Sequence, residues 1–163
     1  MIKTVSVPRS PLLEQSLPEA QFADAYEVAL ADPSQDIWEI TYKLFTEGQQ
    51  DWIKALMGLR NLLVAPFGLK TGPMNDGEQV SQERIGIFKV YEKTGNEVLL
   101  GENDRHLDFR ISVLKDETNS TLTVTTQVDM HNVLGRAYMR VIEPFHRMIV
   151  KSMIRQAKNK GVF

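Results

Sequence analysis

The chain has 163 residues, 42% of them hydrophobic and 25% charged; this is an ordinary globular composition that excludes a disordered chain, a collagen and a coiled coil, and the length predicts one domain able to bury a core without a staple. Its 19 Lys and Arg against 21 Asp and Glu give a net charge of −2, without the basic excess that nucleic acid or an anionic membrane would call for. There is no Cys, which rules out thiol catalysis, disulfides and cysteine zinc sites.

Residues 1–20 hold Pro8, Pro11 and Pro18, which lack amide donors, and are expected to form an extended lead-in to a domain spanning 21–163. The start has no long apolar stretch of the secretory kind. The most apolar run, Leu62–Leu69, is broken by Pro66 and Gly68 and falls far short of the ~20 residues of a membrane span. The expectation is a cytoplasmic protein with no membrane or nucleic-acid partner.

Phe22–Leu30 predicts a first strand, with Phe22, Asp24, Tyr26, Val28 and Leu30 on one side. Asp32-Pro33 then reads as an N-cap and first helical position, with Gln35 at capping-box spacing. Ile37, Trp38, Thr41, Leu44 and Phe45 share one face of that helix, which Gly48 should end. A second helix is expected from Asp51, with Trp52, Ala55, Leu56, Leu59 and Leu63 as its stripe and Pro66 and Gly68 as its stop. Residues 70–85 read as a long polar loop.

Strands follow. Ile85–Lys93 and Glu97–Gly101 flank Thr94-Gly95, read as a hairpin turn whose Gly takes positive φ. His106–Leu114 and Thr121–His131 alternate apolar and polar residues cleanly, and a tight connection at Asp116–Asn119 makes them antiparallel neighbours. With Lys115 facing Ser120, Leu107 would face Val128, Phe109 Thr126 and Ile111 Val124. On the other face Arg110 would oppose Thr125, Asp108 Gln127 and His106 Asp129, with Asp104 near His131. A long helix from about Leu134 to Lys158 ends the chain, kinked near Arg140 by Pro144.

One long helix with a broad apolar face must lie across the apolar face of the sheet. The predicted fold is therefore α+β: a curved antiparallel sheet wrapped on a long C-terminal helix, with two short helices after the first strand. The wedge between sheet and helix becomes an apolar cavity if side chains do not fill it. Met130, Met139, Met148 and Met153 are adaptable fillers for that space. Phe88, Leu107, Phe109, Val128, Met130, Tyr138, Ile142 and Phe145 are the expected apolar walls, and His106, Asp108, Arg110, His131 and His146 the polar candidates. No HxH, HExxH or Glu-x-x-His spacing points to a metal, and neither a metal nor another cofactor is expected. Ser112 and Ser120 lack a nucleophile-elbow context. The basic residues Arg140, Arg147, Lys151, Arg155 and Lys158 fit a solvated helix face.

The arrangement resembles the START-like (SRPBCC) helix-grip superfamily. The strings FADAYEV, WIKALMGLRNLLVAPFGLK, GENDRHLDFRISV and TVTTQVDMHNVLGRAYMRVIEPFHRMIV are similar to the bacterial domain-of-unknown-function family DUF2867 over about Phe22 to Ala157. The resemblance implies the helix-grip fold and a pocket, but no established activity. That family also occurs fused behind short-chain-dehydrogenase-like domains, whose GxGxxG unit this chain lacks. The leading expectation is a domain that binds a small hydrophobic or amphipathic molecule and is not an enzyme. The alternatives are an interaction module, as a homodimer or beside a redox protein, and a cyclase- or dehydratase-type enzyme using His106, Asp108 or His146.

Overall fold

The computed structural model describes residues 1–46, 54, 57, 58 and 83–163. Of the expected second helix only residues 54, 57 and 58 are described, and they are helical; Trp52 with the rest of it, and the loop expected over 70–85 up to residue 82, lie outside the described residues. The strands are β1 (Lys3–Val5), β2 (Phe22–Ala29), β3 (Arg84–Ile85), β4 (Phe88–Lys93), β5 (Glu97–Asn103), β6 (Leu107–Asp116) and β7 (Thr121–Met130). Helices α1 (Pro11–Ser16), α2 (Ile37–Thr46) and α3 (Val133–Asn159) complete the order. The strands form one antiparallel sheet, β1-β2-β7-β6-β5-β4-β3, crossed by the long C-terminal helix in a helix-grip-like α+β arrangement.

The lead-in is not extended throughout. It holds β1, which pairs with β2, and the short helix α1. Pro11 does not oppose that helix because it sits in the first turn, where no amide partner is needed. Ser10 caps the helix by accepting from the Leu13 N–H at 3.1 Å. The start of α2 is also later than expected. Asp32 bonds the Ser34 amide in a local turn, and Asp36 caps the helix instead, accepting from the Trp38 N–H at 3.2 Å. Ile37, Ile40, Thr41, Leu44 and Phe45 face the core. Trp38 is half-buried, with the Lys93 ammonium 4.3 Å from its ring centre.

Two turns correct the expected β geometry. In the β4–β5 turn the left-handed conformation assigned to Gly95 is absent; Thr94 closes the turn, its N–H reaching Glu97 O at 2.8 Å. Positive φ falls instead on Gly86 between β3 and β4, at 59°. The β6–β7 register is displaced by two residues: Leu107 faces Met130, Phe109 faces Val128 and Ile111 faces Thr126. Asp116 and Thr121 are the closing pair, so the loop is residues 117–120. The Asp116 carboxylate holds Asn119 N–H at 3.0 Å, and Ser120 takes a left-handed φ of 50°. A slip of two preserves the faces, and the apolar set stays together.

That apolar set faces α3 and α2. The core fills one end of the sheet: Val98, Leu100, Val113, Leu122 and Val124 pack with Ile37, Leu44, Phe45 and the α3 residues Val150, Met153, Ile154 and Ala157. The C-terminal Val162 and Phe163 are buried there too. At the other end the first turn of α3 rests on the β5–β6 loop. Asn132 caps it by accepting from Gly135 N–H at 3.0 Å. Gly135 lies so close to that loop that a Cβ would stand 2.2 Å from the His106 carbonyl oxygen. The helix runs continuously through Pro144, and its 27 residues span about 40 Å at ~1.5 Å per residue.

Gly135→Ala forces backbone apart where α3 meets the sheet. Overpacking of this kind costs about 1–3 kcal/mol, and thermal or urea unfolding of the variant should show that loss. Gly95→Ala, whose Cβ meets nothing within 4 Å, should stay within about 0.5 kcal/mol of the parent.

Candidate functional site

Between the helix and the open end of the sheet lies a cavity of about 310 Å³, at the low end of the ~300–1,000 Å³ usual for small-molecule sites. Phe22, Phe109, Val128, Leu107 and Ile111 form its sheet wall, Phe88 and Ile87 its edge, and Leu134, Tyr138, Met139, Ile142 and Ile149 its helix wall. Ala137 and Val141 also line it and are exposed, as is Asp104, so these three stand at the rim. The inward direction of Leu107, Phe109 and Ile111 follows from strand alternation against the apolar stripe of α3.

Six of the expected apolar walls line this space: Phe88, Leu107, Phe109, Val128, Tyr138 and Ile142. Met130 and Phe145 do not. Met130 is the last residue of β7 and, although opposite Leu107, does not reach the space. Phe145 lies off the helix stripe that includes Ile142 and His146 and is 44% exposed. Of the expected fillers, Met139 and Met153 face the space, whereas Met148 is 62% exposed.

The polar candidates divide between two faces. His106 and His146 line the cavity; Asp108, Arg110 and His131 do not. Alternation sends Asp108 and Arg110 to the opposite face of β6. There Asp108 stands opposite Asp129, an unfavourable pair of like charges relieved by separate partners. His131 Nε2 lies 3.3 Å from Asp108, and Gln21 donates to Asp129 at 2.7 Å. Arg110 opposes Gln127 and is only 5% exposed. Its guanidinium stacks 3.7 Å over the Tyr91 ring and donates to Ser16 Oγ at 2.7 Å and Asn103 Oδ1 at 2.8 Å. Gly101 makes room for it, since a Cβ there would meet Arg110 Cδ at 2.9 Å. Buried Glu97 on the same face accepts from Ser10 Oγ at 2.6 Å and from Ser112 Oγ. These groups pin α1 to the back of the sheet.

Inside, two polar groupings stand on opposite sides of the apolar wall. On the β5 side, Glu102 faces the cavity and is held by Lys89 at 3.0 Å and Arg84 at 3.2 Å. Near it, His106 Nδ1 is 3.1 Å from Asn132 Nδ2. Asn132 already spends its oxygen on the helix cap, so its amide nitrogen is the donor and the His106 proton belongs on Nε2. On the β2 side, His146 Nε2 meets Asp24 Oδ1 at 3.2 Å, and Tyr26 donates its hydroxyl to Asp24 Oδ2 at 2.9 Å. Three strand spacings separate β2 from β5, about 14 Å at ~4.8 Å each.

Asp24, Tyr26, Glu102 and Thr126 were not among the sequence candidates. The signal for Asp24 was present, as a charged residue on the apolar side of the first strand. Glu102 lies past the expected end of its strand at Gly101, so its face was not assigned. Among the described residues, no group of three or more His, Asp or Glu is placed to hold a metal ion, and no helix is long and apolar enough to cross a membrane.

The family described as "Protein of unknown function (DUF2867)" matches residues 16–153. No curated protein and no solved structure matches the chain.

Burial, then the neighbouring Asp24 charge and its hydrogen bond, push the Tyr26 phenol well above its ordinary range. Burial also raises Tyr91, against the opposing pull of Arg110. An acid whose folded pKa is raised keeps its proton in the folded protein after the unfolded chain has lost it, so stability falls as pH climbs past about 10. An ultraviolet titration in alkali should therefore show Tyr26 and Tyr91 ionising late. Tyr26→Phe should flatten the fall in stability at high pH.

Proposed function

The chain belongs to the DUF2867 family, and we propose that its residues 21–163 act as one helix-grip domain of the START-like (SRPBCC) kind that binds a small apolar or amphipathic molecule. The observation that carries this reading is the cavity itself, about 310 Å³ of space inside a layer that packing would otherwise close. Its wall is carbon over most of its extent, from Phe22, Phe88, Phe109, Val128 and Ile142. Apolar burial supplies affinity in such a place, and a few fixed polar groups supply orientation. The polar groups here stand at two sides, with Glu102 and His106 near β5 and His146 near β2. This suits a molecule with an apolar body and a polar end.

A second reading is supported by α3. Phe145 and Met148 present apolar side chains outward, 44% and 62% exposed. An interaction role, as a homodimer or beside a short-chain-dehydrogenase-like redox protein, would use that surface. Sedimentation of the full chain at rising concentration tests the dimer.

The cavity is tested with N-phenyl-1-naphthylamine, a neutral dye that brightens in apolar surroundings. The full chain should bind about one dye per molecule. Ala137→Trp, at the exposed rim, should weaken binding by at least about tenfold, or ~1.4 kcal/mol, with an unchanged melting temperature. Equal binding by the plugged variant would place the dye elsewhere and sink the reading. Native mass spectrometry of gently purified protein, with denaturing extraction, should identify what it carries.

A further inference from the structure

We propose that Asp24 and His146 form a general-base pair that removes a proton from a molecule held in the cavity, which makes the domain an enzyme for small apolar substrates with a weakly acidic C–H or O–H. The proposal rests on the cavity reading above and adds chemistry to it.

The geometry carries the inference. His146 lies one helical turn after Ile142, so it shares the inward stripe of α3 and its ring lines the cavity. Its side chain is 17% exposed, and that of Asp24 is 6% exposed. The Asp24 carboxylate accepts from two donors, His146 Nε2 at 3.2 Å and the Tyr26 hydroxyl at 2.9 Å. A carboxylate on Nε2 fixes the proton there and leaves the lone pair of neutral imidazole on Nδ1. No described residue bonds that nitrogen. When Nδ1 takes a proton, the same carboxylate stabilises the imidazolium. Asp24 is thus a positioning residue, and His146 is the group that meets the substrate.

The surroundings favour the same chemistry. The Phe22 ring stands edge-on to His146, with centroids 6.0 Å apart. Such walls exclude water and strengthen the pull of Asp24 on the imidazolium. Thr126 is directly opposite Asp24 in the β2–β7 ladder and lines the same wall. Its hydroxyl has no hydrogen-bond partner among the described residues, so it is available to a substrate's polar end. The remaining charges nearby are on α3. Glu143 and Arg147 pair with each other, and the Lys151 ammonium lies 5.2 Å from the Tyr26 ring centre. From β7, Thr126 and Val128 bring no charge.

Stability gives no reason for this pair. A buried carboxylate is costly unless every lone pair is partnered, and every neighbouring position on this wall except Tyr26 and Thr126 is apolar. A carboxylate–imidazole pair beside an open cavity is explained by proton transfer.

The test uses 5-nitrobenzisoxazole, a flat apolar carbon acid. His146 Nδ1 would take its C3 proton; the C–H electrons become the second π bond of a nitrile as the N–O bond breaks. The product is a coloured cyanonitrophenolate, and no oxidant or metal is needed. The full chain should turn it over saturably and faster than free imidazole at the same concentration. His146→Gln should lower kcat by about 100-fold or more, the usual worth of a general base. Asp24→Asn should lower it by roughly tenfold. Both variants should still bind the naphthylamine dye, and 5-nitrobenzisoxazole should displace it with affinities within about threefold of the parent. His131→Gln, on the outer face, should leave the rate unchanged. If the compound displaces the dye but His146→Gln turns it over as fast as the parent, the general-base proposal is overturned and the cavity reading stands. If neither compound binds the parent, the cavity reading fails and takes the proposal with it.

Discussion

One helix is too narrow for this sheet. Seven strands at ~4.8 Å spacing make a face about 29 Å across, while an α-helix with its side chains is about 10–12 Å wide. α3 can therefore cover only part of the apolar face, and something else must cover the rest or the sheet must curl toward it. At one end α2, the C-terminal half of α3 and the buried Val162 and Phe163 complete the cover over a continuous apolar cluster. At the other end the N-terminal half of α3 stands over Phe22, Val128, Phe109 and Leu107, and a cavity remains between them. The cavity follows from the mismatch in width. The close seating of Gly135 on the His106 carbonyl sets how the helix meets that end of the sheet.

The same residue types serve different ends on the two faces. On the back of the sheet, Glu97 with two serine donors and Arg110 over Tyr91 are buried charges with every strong partner supplied by the protein. They fasten α1 beside the buried Leu13 and Leu17. On the front, Glu102 is paired with Arg84 and Lys89, and Asp24 is hydrogen-bonded by a tyrosine and a histidine. Buried charge is tolerated at each place because each is partnered. What distinguishes the front is that His106 and His146 line the cavity, while Glu97, Arg110 and their partners do not.

Much of the sheet was legible because alternation is a strong signal over ten residues, and β6 and β7 each have ten. Their faces could be read from pattern alone, but their register depended on the turn. There Asp116 bonding Asn119, with Ser120 at positive φ, set Asp116 and Thr121 as the closing pair in place of Lys115 and Ser120, around a loop of the same length. The helix α1 was hidden by Pro11 within it and by Pro8 and Pro18 on either side. Pro11 is compatible with a first turn, and Ser10 before it is the cap that could have revealed it. At α2, two aspartates compete, and Asp36 caps the helix because Asp32 is occupied with Ser34. Local chemistry of one or two side chains decided each of these boundaries, and periodicity carries no information about it.

The site was less legible than the fold because its parts come from distant elements. His146 and Asp24 are 122 positions apart and meet only when α3 lies across β2. Their meeting depends on the register of β2. A one-residue slip would turn Asp24 outward and bring Ala23 or Ala25 to the imidazole. Both ends of β2 are clamped against such a slip. Leu30 N–H reaches Ser120 O at 2.8 Å, which ties the far end to the β6–β7 turn. At the near end, Gln21 donates its backbone N–H to Val128 O at 3.0 Å, accepts from Met130 N–H and reaches Asp129 with its side-chain amide. The unusual Ser120 conformation and the exposed Gln21 amide thus act on the cavity from outside it. They hold the strand that points the carboxylate at the histidine.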